Sequence, residues 1–177
     1  MSDISPMEEL RKEHESALEA MRGLADRVRT LAPGRQAADD LGKQLSSLRQ
    51  ELLLHFRKEE EALFPDVREM VAEGAPKVDI LSQFFSEEAD DDLRAHYLLL
   101  RWTQELATLL AEVGRAGSLD SDSAGRVRGL VNATLDLLQR HADKEQKLVF
   151  PMIERLLDAS QMAAVKERMR AIRPALS

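Results

Sequence analysis

The chain of 177 residues contains no cysteine, and aromatic residues make up only 4% of it. The absence of cysteine excludes disulfide bonds, zinc–thiolate sites, thiol catalysis and iron–sulfur clusters held by thiolates. The scarcity of aromatic residues, beside abundant leucine, alanine, glutamate and arginine, favours helix over sheet. The sequence therefore predicts a helical protein whose chemistry does not depend on sulfur.

Two further absences concern partners and location. Acidic residues outnumber basic ones, the net charge is −7 and the two signs are interspersed, so no basic surface for nucleic acid is evident. The first residues show neither the basic start nor the apolar run of a signal peptide. No apolar stretch approaches the roughly 20 residues that span a bilayer. We expect a cytoplasmic protein that binds neither nucleic acid nor membranes.

Apolar residues recur with helical period over four long segments. Ser5 followed by Pro6 predicts the start of the first helix, and Pro65 predicts a kink late in the second. Together the segments predict an all-α fold, an up-down-up-down four-helix bundle over residues 5–157 within a single domain, 1–177. A short extra helix is expected in the C-terminal extension, 158–177. The predicted helices start near Ser5, Ala38, Ser82 to Ala89, and Asp122, and they end near Leu31, Ala72, Val113 and Leu157.

One motif occurs twice. His55 is followed four residues later by Glu59 and ten residues later by Pro65, and the same spacing starts at His141. Four residues on an α-helix bring two side chains to within about 40° of each other and about 6 Å apart along the axis. Each copy of the motif therefore presents an imidazole and a carboxylate on one face, and the repeat indicates an internal duplication of helix pairs.

Each copy also has a solitary histidine upstream, His14 before the first pair and His96 before the second, which accounts for all four histidines of the chain. In an antiparallel bundle these groups reach a common level near the axis. Two divalent ions under about 4 Å apart could each take two histidine nitrogens, with the glutamates bridging. The predicted ligands are His14, His55, Glu59, His96, His141 and Glu145.

The alternative is that these are hydrogen-bonded core histidines without a metal. Two chance pairs with the same spacing are improbable, and burying four imidazoles and two carboxylates without a cation costs much free energy. Nitrogen and oxygen donors without sulfur suit iron or manganese, and zinc could also bind.

These residues resemble the pattern of the hemerythrin-like (HHE cation-binding) domain, in which a histidine precedes an HxxxE pair in each half. Leu63-Phe64-Pro65 also resembles the tail of that pattern. The resemblance covers residues 5–157 and implies two iron ions with an oxo or hydroxo bridge. Related activities are reversible O₂ carriage, sensing of O₂ or nitric oxide, and iron-centre repair.

Two departures distinguish this chain from the oxygen carriers of that family. The oxygen carriers have an HxxxH pair on the third helix, whereas His96 of this chain is followed four residues later by Leu100. On the fourth helix they have a His followed five residues later by Asp, whereas this chain has His141 followed four residues later by Glu145. The symmetric six-ligand set resembles the iron-centre repair proteins, whose cysteine-containing N-terminal segment has no counterpart in this cysteine-free sequence.

Three functions therefore stay open. The first is a di-iron protein, monomer or homodimer, that binds or senses O₂ or nitric oxide or handles iron. The second is a di-iron oxidase, or an enzyme of the peroxide-handling or iron-centre-repair type. The third is a zinc-bound or metal-free helical interaction module. We expect a metal- or gas-binding protein rather than a dedicated enzyme.

Other residues are candidates for supporting roles at the predicted metal site. Asp92 could be a seventh ligand or orient His96, Glu51 could accept the other ring N–H of His55, and Tyr97 could approach as a redox-active phenol. A solvated helix start for Asp92 and core or rim packing for Tyr97 are the alternatives. Glu60, Glu61 and Gln146 are predicted to point towards solvent.

Overall fold

The structure, a computed structural model, describes residues 4–30, 35–72, 89–117 and 120–173. Nearly all of these residues are helical and none of them lies in a strand, which confirms the all-α prediction. Proline and glycine in the sequence also predict a helix end at 32–34 and a linker over 74–81, and both segments lie outside the described residues. Within the described ranges, no helix is long and apolar enough to cross a bilayer.

Capping side chains fix several helix starts. The hydroxyl of Ser5 accepts a hydrogen bond from the N–H of Glu8 at 3.1 Å, as its position before Pro6 predicts. Asp120 and Asp158 cap two later helices in the same way. The α-helices are α1 (Pro6–Arg29), α2 (Arg35–Arg57), α3 (Phe64–Ala72), α4 (Ala89–Ala116), α5 (Ser121–Lys144), α6 (Phe150–Leu156) and α7 (Ala159–Ala171).

Two π turns interrupt the long helices directly at the His-x-x-x-Glu pairs. The first π turn, Lys58–Leu63, joins α2 to α3, and the second, Glu145–Val149, joins α5 to α6. In each, the phenylalanine that follows donates its N–H to the carbonyl of the motif glutamate five residues earlier. The two halves of the chain therefore share the same backbone irregularity at the same place.

Proline explains the position of these turns. Pro65 follows the first π turn and Pro151 follows the second, each as the second residue of the next α-helix. A proline has no N–H, and its ring clashes with the carbonyl four residues earlier in an α-helix. A wider turn ahead of the proline relieves that clash, so that the chain stays helical as far as Ala72.

The four long helices pack in a ring, with α1 against α2, α2 against α4, α4 against α5, and α5 against α1. Helix α7 packs against the first π turn and α1. Apolar side chains form two clusters, one that includes Leu24, Leu45 and Leu106 and another that includes Leu10, Phe64 and Phe150. His14, Glu59 and Glu145 lie in the chain between members of the two clusters. The six motif residues are all buried, so they form a polar layer inside the core.

The second π turn overturns one prediction about the core. The apolar period of the fourth segment predicts that Leu148 faces the core with Leu138 and Ile153, yet Leu148 is 51% exposed, while its neighbours Val149 and Phe150 are buried. The extra residue of a π turn rotates the positions that follow, so an α-helical period extended through the turn assigns the wrong side chain to the core.

Candidate metal centre

The six predicted ligands come together in the polar layer. The four histidines belong to α1, α2, α4 and α5, and the two glutamates belong to the π turns. All six side chains are buried, with 0–4% of their surface exposed. The structure thus brings the predicted residues into one cluster, while their role as ligands stays a prediction.

Each glutamate lies between a histidine of the first half of the chain and one of the second. Oε1 of Glu59 lies 3.1 Å from Nε2 of His55, and its Oε2 lies 3.2 Å from Nε2 of His96. For the other glutamate, Oε2 of Glu145 lies 3.1 Å from Nε2 of His14 and 3.5 Å from Nε2 of His141. Both carboxylates therefore lie within reach of ring nitrogens from the two halves, Glu59 through its two oxygens and Glu145 through Oε2.

The histidines themselves form two close pairs. Nε2 of His14 and Nε2 of His55 are 2.9 Å apart, with ring centroids 4.5 Å apart. The centroids of His96 and His141 are 4.9 Å apart. Two ligands that bind one ion at about 2.0–2.1 Å and at right angles lie about 2.9 Å from each other. The separation of the Nε2 atoms of His14 and His55 therefore matches that of two neighbouring ligands of one ion.

Several of these atoms have close neighbours but no hydrogen bond. Both carboxylate oxygens of Glu59 and Nε2 of His96 are buried, and none of the three makes a hydrogen bond of acceptable geometry. A buried carboxylate without donors costs free energy. A cation between the carboxylate and the ring nitrogens would satisfy all three atoms, so the donor set fits a metal.

Two overlapping groups of four residues have donor atoms that all lie within 4.8 Å of one another. The groups share His141 and Glu145, and they differ in the remaining two residues. This overlap shows that the donor atoms of the six residues form one compact cluster. The groups are His14, His55, His141 and Glu145, and Glu59, His96, His141 and Glu145.

Glu13 contacts the ring of His55 on the side away from the cluster, a contact that the pattern of the sequence does not predict. Its Oε2 accepts a hydrogen bond from Nδ1 of His55 at 2.9 Å. Its other oxygen accepts one from Lys58, which is only 7% exposed and also donates to Glu9 at 2.7 Å. With Nδ1 engaged, Nε2 of His55 faces the cluster. Glu9 and Glu13 are four residues apart and so lie on one face of α1. This spacing is the sequence feature that points to them.

Glu60 does the same for His96, which corrects the prediction that it points towards solvent. Its Oε1 accepts a hydrogen bond from Nδ1 of His96 at 2.7 Å. Glu60 lies inside the first π turn, where the α-helical period does not give the direction of a side chain. Its neighbour Glu61 is exposed and pairs with Arg57 at 2.7 Å, as predicted, and Gln146 is half-buried.

The protons of the cluster are unequally distributed. Burial lowers the pKa of His55, but the charge of Glu59 and the hydrogen bond to Glu13 outweigh it and raise this pKa to about 9. Burial and the positive charge of His55 lower the pKa of His14 to about 3. Burial raises the pKa of Glu59, but the charge of His55 outweighs it and holds this pKa well below its ordinary value.

The other candidate residues do not reach the cluster or cannot be placed. Glu51 is exposed and accepts a hydrogen bond from Ser47 at 3.3 Å, so the partner of His55 is Glu13 instead. Tyr97 is 61% exposed and takes part neither in the core nor in the site. The side chain of Asp92 lies outside the described part of the structure.

A comparison with protein families agrees with this geometry. The model of the hemerythrin HHE cation-binding domain matches residues 5–95, slightly more than half of the chain. The matched part contains His14, His55 and Glu59 of the cluster. The chain therefore belongs to the hemerythrin HHE cation-binding family. No curated protein matches the sequence.

Proposed function

We propose that this protein binds two iron ions without haem and uses them to bind or sense O₂ or nitric oxide, or to handle iron. The observation that supports it is the cluster of four imidazoles and two carboxylates, all buried, with each carboxylate placed between two histidines. A cluster of this composition is costly to bury without a cation. The family's cation-binding character supports the same conclusion.

Each ion would be held by one histidine pair, His14 with His55 and His96 with His141. Glu59 and Glu145 would bridge the two ions. Donors of nitrogen and oxygen suit iron, and manganese or zinc are the nearest alternatives. Bound iron would supply reversible redox chemistry and sites for a small ligand.

The residues of the chain itself have three tasks at such a centre. Glu13 and Glu60 orient one histidine of each pair through its Nδ1. The apolar clusters on either side exclude water from the polar layer. Glu59 provides negative charge, since its low pKa keeps it ionised at neutral pH. Together these features favour tight binding of positive ions over an enzyme that exchanges large substrates.

The proposal also covers the direction of the helices and the state of the protein in the cell. The long helices would run up, down, up and down, and α7 would close the end of the bundle where it packs on the first π turn. We propose one domain over residues 1–177, active in the cytoplasm as a monomer or homodimer, without nucleic acid or membrane as a partner.

The test is the metal content of protein purified without added chelator or metal, followed by absorption spectra of the Fe(II)-loaded protein before and after air. Two irons per chain and a new near-ultraviolet band after oxidation are the expected results. One zinc, or no metal, would contradict the proposal and favour an interaction module. Catalytic turnover of Fe(II) or peroxide would show an oxidase instead of a binding or sensing protein.

A further inference from the structure

Two grooves reach the histidine cluster from different sides of the bundle. The acidic groove, of about 240 Å³, lies between α1 and α2 and is lined by Glu13, His14, Ser16, Glu51, Leu54 and His55 among others. The basic groove, of about 390 Å³, lies between α4 and α5 and is lined by Arg94, Ala95, Leu137, Arg140, His141 and Lys144 among others. Because the helices form a ring, these two grooves lie on opposite faces.

The internal duplication relates one groove to the other. His96 follows His14 by 82 residues and His141 follows His55 by 86. With these offsets, Glu13 corresponds to Ala95, while His55 at the floor of the acidic groove corresponds to His141 in the basic one. The two grooves are therefore equivalent positions of the two halves, and each ends at the histidine of an HxxxE pair.

Their charges have diverged in opposite directions. Glu51 corresponds to Leu137, and Leu54 corresponds to Arg140. With the replacement of Glu13 by Ala95, the walls of the second groove lose two negative charges and gain one positive charge. Equivalent openings with opposite charge indicate that different ions reach the cluster from the two sides.

We infer that the basic groove is a binding site for a small oxyanion next to His141. Guanidinium groups bind oxyanions through paired N–H donors, and Arg94 and Arg140 both line this groove. In the acidic groove this position carries the carboxylate of Glu13, whereas in the basic groove it carries only the methyl group of Ala95. The basic groove therefore has room for an anion at this position. His141 forms the buried floor, so a bound anion lies beside a predicted metal ligand.

The carboxylate that pairs with Arg140 does not prevent binding. Arg140 pairs with Asp136, one helical turn earlier, and the two side chains are 67% and 63% exposed. Exposed ion pairs contribute little free energy, so an anion in the groove can compete for the guanidinium group. Lys144, on the same wall, adds a further positive charge.

The experiment is a titration of the full-length protein with inorganic phosphate, first as purified and then after removal of metal by a chelator. Backbone amide shifts of Ala95, Arg140 and Lys144 are followed by NMR. Saturable shifts of these amides in both preparations are expected. Shifts in the as-purified protein alone would mean that the metal binds phosphate, and shifts that do not saturate would mean that there is no site. Either result overturns the inference.

Two variants test the walls of the groove. Ala95→Glu restores the carboxylate of the other half and should abolish binding, and Arg140→Leu introduces the residue of the other half and should weaken binding about tenfold. Arg126→Leu is the matched control, an exposed arginine about 21 Å away along α5. Equal weakening in the control, or unchanged binding in both groove variants, would refute the site. Because the metal-free protein gives the answer, this result is separate from the metal content that tests the proposed function.

Discussion

Oε1 of Glu60 lies 2.7 Å from Nδ1 of His96, so a residue of the first half of the chain orients a histidine of the second half. Glu13 orients His55 in the same way at 2.9 Å. One histidine of each expected metal-binding pair is therefore held by a carboxylate. Gln146 occupies the position of Glu60 in the other repeat, and Ala95 occupies that of Glu13. The carboxylates that orient the histidines are therefore less symmetric than the histidines and glutamates of the cluster.

Glu60→Ala should weaken the binding of one metal ion by a factor of about 10 to 100, because its partner His96 loses the hydrogen bond that fixes its ring. Competition against a chelator of known affinity measures the effect. Glu61→Ala is the matched control, since this neighbour is exposed and bonds only to Arg57 among the described residues. Equal affinities in the two variants would show that the hydrogen bond of Glu60 has no role in metal binding.

His55→Ala and Glu59→Ala should each abolish stoichiometric metal binding, because each removes a donor from the centre of the cluster. Metal analysis of the purified variants, beside Glu61→Ala, gives the answer. If either variant still holds two ions per chain, the ligand set is wrong.

Lys58→Met should lower the free energy of unfolding by about 1–3 kcal/mol, since it leaves the partly buried Glu9 without its cation and Glu13 with His55 alone. Urea denaturation of the metal-free protein measures the change. In the control Lys147→Met, the lost pair with Asp143 is exposed, and such a pair is worth less than about 1 kcal/mol. A loss no larger than that of the control would mean that Lys58 does not stabilise the fold.

The stability of the metal-free protein should have its maximum near pH 6.5, as far as His14 and His55 determine it. The pKa of His55 is 6.5 in the unfolded chain and about 9 in the folded protein. The stabilisation that His55 contributes is therefore complete below pH 6.5 and is lost as the pH rises towards 9. The pKa of His14 falls from 6.5 to about 3, so stability is lost as the pH falls below 6.5.

Urea denaturation between pH 5 and pH 9 tests this expectation, and each titrating proton contributes a slope of at most about 1.4 kcal/mol per pH unit. His55→Gln serves as the comparison, because it should reduce the alkaline slope. His96 keeps a part of that slope, since burial lowers its pKa but Glu59 and Glu60 outweigh burial and raise it. An alkaline slope that persists unchanged in His55→Gln would assign that slope to other groups.

The sequence alone predicts the helices and the convergence of the six donors, because apolar period and fixed motif spacing are local signals. It does not predict the role of Glu60, whose direction depends on the π turn. Nor does it predict that of Glu13, whose contact with His55 depends on how α1 and α2 are rotated against each other. Leu148 shows the same limit: its period places it inside, and one extra residue in the turn places it outside.

The paired π turns have a consequence for changes in the length of the chain. One residue corresponds to about 100° of rotation around a helix, and a π turn contains one more residue than an α-turn. Deleting a single residue from the first π turn would restore the α-helix and leave Phe64 and Val67 facing their apolar cluster, but it would press the ring of Pro65 against the carbonyl four residues earlier. These two short stretches should therefore accept substitutions more readily than insertions or deletions, and relatives with working centres should preserve their length.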